Sequence, residues 1–219
     1  MSCERLGVVM TPDGSAHEVE GVLNPGTGRD RAGNLLLFPR TVAAGNVSRI
    51  GLARTVDGKV ERLGFALEPE TEYERRSMLG GHGCEDARVT YIREIDRYVM
   101  AYTAFGPQGA RVAVATSRDA YVWERLGLVR FPSVVANAVD NKDAAFFPEP
   151  VLSPGGVPSL AFFHRPMRPE TINGQTPIPI MQSLPPSQRE ATWLAFVPVE
   201  AVKRDIANLC QPTESLRVL

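Results

Sequence analysis

Glu85-Asp86-Ala87-Arg88 is the stretch richest in chemistry, with two carboxylates and a guanidinium leading into the β-prone run Val89-Thr90-Tyr91-Ile92. On a pleated strand successive side chains alternate faces, so Asp86 and Arg88 are expected to share one face and Glu85, Ala87 and Val89 the other. A carboxylate beside a guanidinium supplies a proton-transfer group next to an anion contact. Read alone, the pair is equally a turn at the start of a strand held by a weak surface ion pair. Cys84 precedes two acids whose charges would raise rather than lower its pKa, which argues against a nucleophilic thiol.

The elements that must position this stretch belong to an ordinary globular chain. Its 219 residues are 43% hydrophobic and 22% charged, enough for a substantial core. A formal charge of -1, a pI near 6.3 and scattered basic residues give no electrostatic footprint for nucleic acid. Met1-Ser2-Cys3-Glu4-Arg5-Leu6 lacks the apolar core of a signal peptide and no apolar run reaches the length of a membrane span, so no membrane partner and a cytoplasmic location are expected. Cys3, Cys84 and Cys210 form no CxxC pair and read as reduced thiols, and His17, His82 and His164 show no metal-ligand spacing. No metal and no cofactor are expected.

Residues 1–20 have little periodicity and read as a tail or a first edge strand, and Asn24-Pro25-Gly26-Thr27-Gly28 reads as a loop whose glycines match neither a GK[ST] nor a GxGxxG pattern. Gly33 to Val42 predicts a buried strand and Val47 to Arg54 a second. Thr55-Val56-Asp57-Gly58 predicts a hairpin turn into a short strand through Leu63. The order returns about sixty residues later: Ser48-Arg49-Ile50-Gly51-Leu52-Ala53 matches Ala110-Arg111-Val112-Ala113-Val114-Ala115, Glu61-Arg62-Leu63-Gly64 matches Glu124-Arg125-Leu126-Gly127, and Leu35–Arg40 matches Val99–Ala104. A looser third copy runs through Asp143–Phe147, Ser159–Arg165 and Ala191–Phe196, interrupted by a proline-rich loop over 165–186. Val199–Leu209 alone reads as a helix or a single turn, with Val202, Ile206 and Leu209 on one face.

A period of about sixty residues with four short strands per unit predicts an all-β chain of the β-propeller kind, whose innermost strands surround a central axis. The units fall roughly at 21–80, 81–140 and 141–219. Equivalent repeat positions should occupy equivalent places, which aligns Arg40 with Ala104 and His164, Asp86 with Asp143, and Glu85 with Lys142. Tyr98, Tyr102, Phe162 and Trp193 are expected in the core and Trp123 on an outer strand.

Glu85-Asp86-Ala87-Arg88, then Tyr98-Val99-Met100-Ala101-Tyr102-Thr103-Ala104, Ala115-Thr116-Ser117-Arg118-Asp119, Asn141-Lys142-Asp143-Ala144-Ala145-Phe146-Phe147-Pro148-Glu149 and His164-Arg165-Pro166, in that order, resemble glycoside hydrolase family 130. The likeness runs from about Asn24 to the C-terminus. It implies a five-bladed propeller, of which this chain would hold about three blades, and an enzyme acting on β-mannosides, in most members by phosphorolysis. Members usually carry proline where Ala87 stands and lysine where Pro150 stands. They are also roughly half as long again, so the resemblance implies either partner chains, such as further copies of this one, that complete the array, or a fragment of a longer protein.

The resemblance makes Asp86 the general acid, protonating the glycosidic oxygen through a sugar hydroxyl while inorganic phosphate attacks the anomeric carbon from the opposite face. One carboxylate suffices, because phosphate is already an anionic nucleophile and no water needs a base. Arg88 beside Asp86 would hold its carboxyl ionised, so competence as an acid is expected only with phosphate bound. The expected phosphate and sugar contacts are Arg40, Ser48, Arg49, Arg88, Lys142, Asp143, His164 and Arg165, arginine being suited to bidentate oxyanion contacts and lysine to a point charge. β-Mannoside hydrolysis and non-catalytic sugar binding remain as alternatives.

Overall fold

The computed structural model describes residues 7–77, 80–132, 137, 139–167 and 191–218. Cys3 and most of the proline-rich stretch expected as a loop over 165–186 lie outside them. In the first unit β1 (Gly21–Arg29), β2 (Leu35–Ala43), β3 (Val47–Val56) and β4 (Lys59–Leu67) form an antiparallel meander. The hairpin between β3 and β4 turns on Asp57 and Gly58 at φ of 48° and 75°. Two left-handed residues in succession match the twist of the strands they join, and aspartate followed by glycine adopts them at low cost.

The second unit repeats the plan with β5 (His82–Ile92), β6 (Arg97–Gly106), β7 (Gly109–Ser117) and β8 (Glu124–Leu128). The third is built from β9 (Asn141–Phe146), the short β10 (Val151–Leu152), β11 (Pro158–Pro166), β12 (Trp193–Pro198) and β13 (Glu214–Arg217). Between β12 and β13 lie α1 (Val199–Arg204) and a 3₁₀ turn, Ile206–Cys210. The helix expected over 199–209 is thus divided. Asp205 is extended and its carboxylate accepts from the Ala207 N–H, starting the second turn instead of continuing the first. Val202 and Leu209 are nevertheless buried, with Ile206 packed beside them, as the apolar spacing requires. No helix among the described residues is long and apolar enough to cross a membrane.

The core lies between successive sheets, and strand alternation assigns each residue to its side. On β6, Tyr98, Met100 and Tyr102 face Leu36, Phe38, Ile50 and Leu52 of the first unit. Val99 and Ala101, one position on, face Phe146, Leu160 and Phe162 of the third. Phe162 is fully buried, Trp193 only half-buried, and Trp123 immediately precedes outer strand β8, its ring edge-on to Phe38 at 5.7 Å. β1, β5 and β9 lie side by side as the inner strands, an all-β propeller arrangement.

Asn24-Pro25-Gly26-Thr27-Gly28 is therefore not a loop but the middle of inner strand β1. Proline and glycine suggested a turn, but both are tolerated where a strand bulges. Pairing of β1 with β2 slips between Leu23 and Gly26, with Asn24 at φ 44°. The same bulge recurs on β5 between Glu85 and Arg88, with Asp86 at φ 52°. On β9 Asp143 takes φ 58°, next to a slip in pairing with β11. Asn24 and Asp86 are 62 residues apart, the offset that also relates Ser48 to Ala110, so the repeat itself marks β1.

Candidate active site

The three left-handed residues place the site. Leu23, Glu85 and Lys142 immediately precede them and lie opposite Arg40, Thr103 and Arg165 in the neighbouring strands. Equivalent positions on the second strands are thus Arg40, Thr103 and Arg165, not Arg40, Ala104 and His164. The turn from β2 to β3 holds three residues, 44–46, and that from β6 to β7 two, 107–108. The shorter second turn matches Arg40 to Thr103, the match with Ala104 overshoots by one residue, and in a strand a shift of one exchanges the faces.

His164 accordingly points into the core. It is fully buried, stacks on Phe131 at 4.1 Å between ring centres, and bonds through Nδ1 to Asn141 Oδ1 and through Nε2 to Ser215 Oγ, both at 3.1 Å. Burial lowers its pKa to about 3, so the ring is neutral. With both nitrogens engaged, it is not placed to bind phosphate. Arg165, the next residue, turns to the inner strands and pairs with Asp143 at 2.6 Å.

At the centre, Arg40 reaches from β2 across the start of β5. Its Nη2 pairs with Glu85 Oε1 at 2.9 Å, its Nη1 lies 3.8 Å from Asp86 Oδ1, and its Nε donates to Ser48 Oγ at 2.9 Å. Ser48 in turn donates to Glu85 Oε1 at 3.3 Å. Asn24 Nδ2 donates to Asp86 Oδ1 at 3.0 Å. The side chains of Arg40, Glu85 and Asp86 are 15%, 13% and 14% exposed, sheltered yet open to a ligand. Burial raises the pKa of Glu85, the charge of Asp86 adds to this, and Arg40, Ser48 and Lys142 only partly oppose it. Lys142 on β9 is thus close enough for its charge to act on Glu85.

Two glycines make these approaches feasible. A Cβ on Gly26 would lie 2.4 Å from the Ala87 carbonyl oxygen, and one on Gly83 would lie 2.1 Å from that of Ser48. Larger residues would push β1 and β3 away from β5 and separate Asn24 and Ser48 from the acids.

Arg88 is not the partner of Asp86. The bulge ends strict alternation, and the Arg88 guanidinium donates to the carbonyls of Ala87 at 2.8 Å and Asn24 at 3.5 Å. Arg40 takes the place expected of it. Arg49 points away from Ser48, as adjacent strand residues must, and pairs with Glu68 at 2.9 Å in a separate cavity of about 830 Å³ lined also by Phe65 and His82. Its repeat partner Arg111 likewise pairs with an inter-unit acid, Asp140, at 3.2 Å, a tie between units. Cys84 is fully buried, and its thiol pKa is pushed up by burial first and by Glu74, not by the two acids that follow it. Sequence reasoning brought together Arg40, Ser48, Asp86, Lys142, Asp143 and Arg165. It missed Asn24 and passed over Glu85.

The chain matches the model of the glycoside hydrolase family 130 described as β-1,4-mannooligosaccharide phosphorylase over residues 9–167. It is 37% identical over 110 residues to a 1,2-β-oligomannan phosphorylase of Thermoanaerobacter sp. strain X514, a match covering 48% of this chain and 32% of that relative. Its fold is similar to that of the β-1,2-mannobiose phosphorylase of Listeria innocua, solved with β-1,2-mannobiose, with a TM-score of 0.62 and 21% identity over 96% of this chain and 62% of that one. A structure from work on family 130 hydrolases that target β-1,2-mannosidic linkages in Candida mannan gives a TM-score of 0.53 at 18% identity, covering 89% of this chain and 57% of that one. The chain therefore spans less than two thirds of the length of these relatives.

Proposed function

The chain belongs to glycoside hydrolase family 130, and from that membership we propose that it carries out inverting phosphorolysis of β-mannosides, with Asp86 as general acid and inorganic phosphate as co-substrate. The glycosidic C1–O bond breaks, a phosphate oxygen bonds to C1 from the opposite face, and the leaving oxygen takes the proton of Asp86 by way of a sugar hydroxyl. The products are mannose 1-phosphate and the shortened mannoside. Phosphate brings its own negative charge to C1, so a second carboxylate acting as base is unnecessary.

The observation that carries this reading is Asp86 itself, a sheltered carboxylate on a left-handed bulge of an inner strand, with Arg40 3.8 Å from it and Lys142, opposite Arg165, acting on its neighbour Glu85. Backbone strain held by its surroundings is characteristic of functional positions. Arg40 and Arg165 supply forked donors for an oxyanion or for sugar hydroxyls, and Lys142 a point charge. Ser48 orients Arg40. The relatives are named for β-1,2-linked mannans and the family model for β-1,4-linked ones, so both linkages are candidate substrates.

The test is release of mannose 1-phosphate from β-1,2- and β-1,4-mannobiose, with and without phosphate. Phosphate-dependent release is expected, and Asp86→Asn should reduce it by about 10²- to 10⁴-fold without lowering the melting temperature. Free mannose formed equally without phosphate would make the chain a hydrolase. The second reading is sugar binding without turnover. Mannobiose binding that survives Asp86→Asn, with no product under either condition, would establish it.

A further inference from the structure

The two carboxyl oxygens of Asp86 have different surroundings. Oδ1 accepts from Asn24 Nδ2 at 3.0 Å and faces Arg40 Nη1 at 3.8 Å. Among the described residues no donor reaches Oδ2. An oxygen already accepting from an amide and facing a guanidinium is a poor seat for a proton, because its lone pairs are engaged by hydrogens that a second proton would repel.

Asn24 is held in place at some cost. It lies at φ 44° directly before Pro25, where an extended conformation is the norm. Gly26 lets β1 close on Ala87, and the Arg88 guanidinium bonds the Asn24 carbonyl at 3.5 Å, so both strands fix its backbone over Asp86. Asp143 has the same bulge but no such amide. Its Oδ2 is held instead by the Arg165 guanidinium at 2.6 Å, so the two equivalent aspartates differ in what fixes one oxygen, a neutral amide for Asp86 and an ion pair for Asp143.

We propose that Asn24 is a positioning residue for Asp86: by donating to Oδ1 from the neighbouring inner strand, it reserves Oδ2 as the oxygen that carries and delivers the acidic proton. This rests on the reading of Asp86 as general acid. The amide does not touch the reacting atoms. It fixes which oxygen is the donor and which way that oxygen faces.

Two variants respect the backbone. Asn24→Gly removes the donor yet keeps the left-handed conformation without strain, and Asn24→Asp keeps shape and conformation but sets a second carboxylate against the first. In phosphate-dependent release of mannose 1-phosphate, Asn24→Gly should lower kcat about 10- to 100-fold with KM changed less than about threefold. The alkaline limb of its pH–rate profile should move upward by about one pH unit, and further in Asn24→Asp. A raised KM with kcat and limb unmoved would overturn the proposal, leaving Asn24 a simple sugar contact.

Titration of the Asp86 carboxyl-carbon resonance, without substrate, separates this proposal from the reaction it rests on. A later midpoint in Asn24→Gly than in the parent supports the contact even if the parent shows no turnover. Coincident midpoints overturn it even if the parent is a phosphorylase.

Discussion

Two glutamates of one short stretch, Glu74 and Glu85, are both sheltered beside arginines, yet their pKa values are shifted in opposite directions. Glu74 is fully buried in the link between the first two units. Its Oε1 accepts from Tyr102 at 2.7 Å and Arg125 at 2.8 Å, and its Oε2 from the N–H groups of Glu70 at 2.9 Å and Thr71 at 3.1 Å. Burial alone would raise its pKa, but these donors outweigh it and the pKa is lowered. Around Glu85, burial outweighs Arg40, the charge of Asp86 adds to it, and the pKa is raised. A carboxylate whose every oxygen is satisfied is a structural rivet. A pair of adjacent acids left short of donors is a place where protons and ligands can be exchanged.

The comparison is tested hardest at Glu74. Glu74→Gln sets an amide N–H₂ against two backbone N–H groups and strips Arg125 of its closest buried partner. Unfolding in urea should show a loss of about 3–5 kcal/mol, the usual cost of breaking a buried pair from one side. Turnover per folded molecule should be unchanged. The pH dependence follows from the sign of the shift. With the folded pKa below the ordinary 4.5, the unfolded chain takes up the proton first, so this stabilisation is intact above about pH 4.5 and fades as pH falls through the folded value. Glu85 works the other way, its ionisation costing stability as pH rises above 4.5. A loss under about 1 kcal/mol in Glu74→Gln would end the distinction between the two sites.

The rivet and the site were unequally legible. β2, β3 and their hairpin could be read because Leu35–Phe38 is a buried apolar run and Asp57-Gly58 suits two left-handed residues. Arg62 and Arg125, aligned by the repeat, do occupy equivalent places: they pair with Ala53 and Ala115 and bond the buried acids Glu18 and Glu74. What could not be read was parity. A one-residue slip in aligning the second strands moved His164 to the site and Ala104 into register with Arg40, and an unseen bulge put Arg88 beside Asp86. Asp86 and Asp143 were aligned by the repeat; the missed signal was Asn24 at the same position, a third residue of a type that tolerates left-handed backbone.

His164 sharpens the comparison in a second way, since it too is a buried titratable group with all its polar atoms bonded. Its folded pKa of about 3 lies below the ordinary 6.5, so between these values the unfolded chain binds a proton that the native chain refuses. Stability should fall as pH drops from 6.5 toward 3, with a slope approaching about 1.4 kcal/mol per pH unit. His164→Gln should lose that slope in urea titrations at pH 4 to 7.5. Its KM for phosphate should stay within about twofold of the parent, whereas a residue that held phosphate would raise KM many-fold.

The smallest effect is expected where a tempting charge is only a tie between units. Arg49 sits beside Ser48 in sequence but on the opposite face of β3, paired with a Glu68 side chain that is 54% exposed. Exposed pairs contribute at most about 1 kcal/mol, and Arg49→Gln should cost no more in urea unfolding. Arg40→Gln, one strand away, removes a guanidinium shared by Glu85, Ser48 and Asp86 and should cut kcat/KM for phosphate by tens of fold or more. The two arginines differ in neither type nor burial, with side chains 18% and 15% exposed, so only the face of the sheet separates them. Equal losses of kcat/KM in the two variants would mean that phosphate is bound across both faces, and the site centred on Asp86 would have to be redrawn around β3.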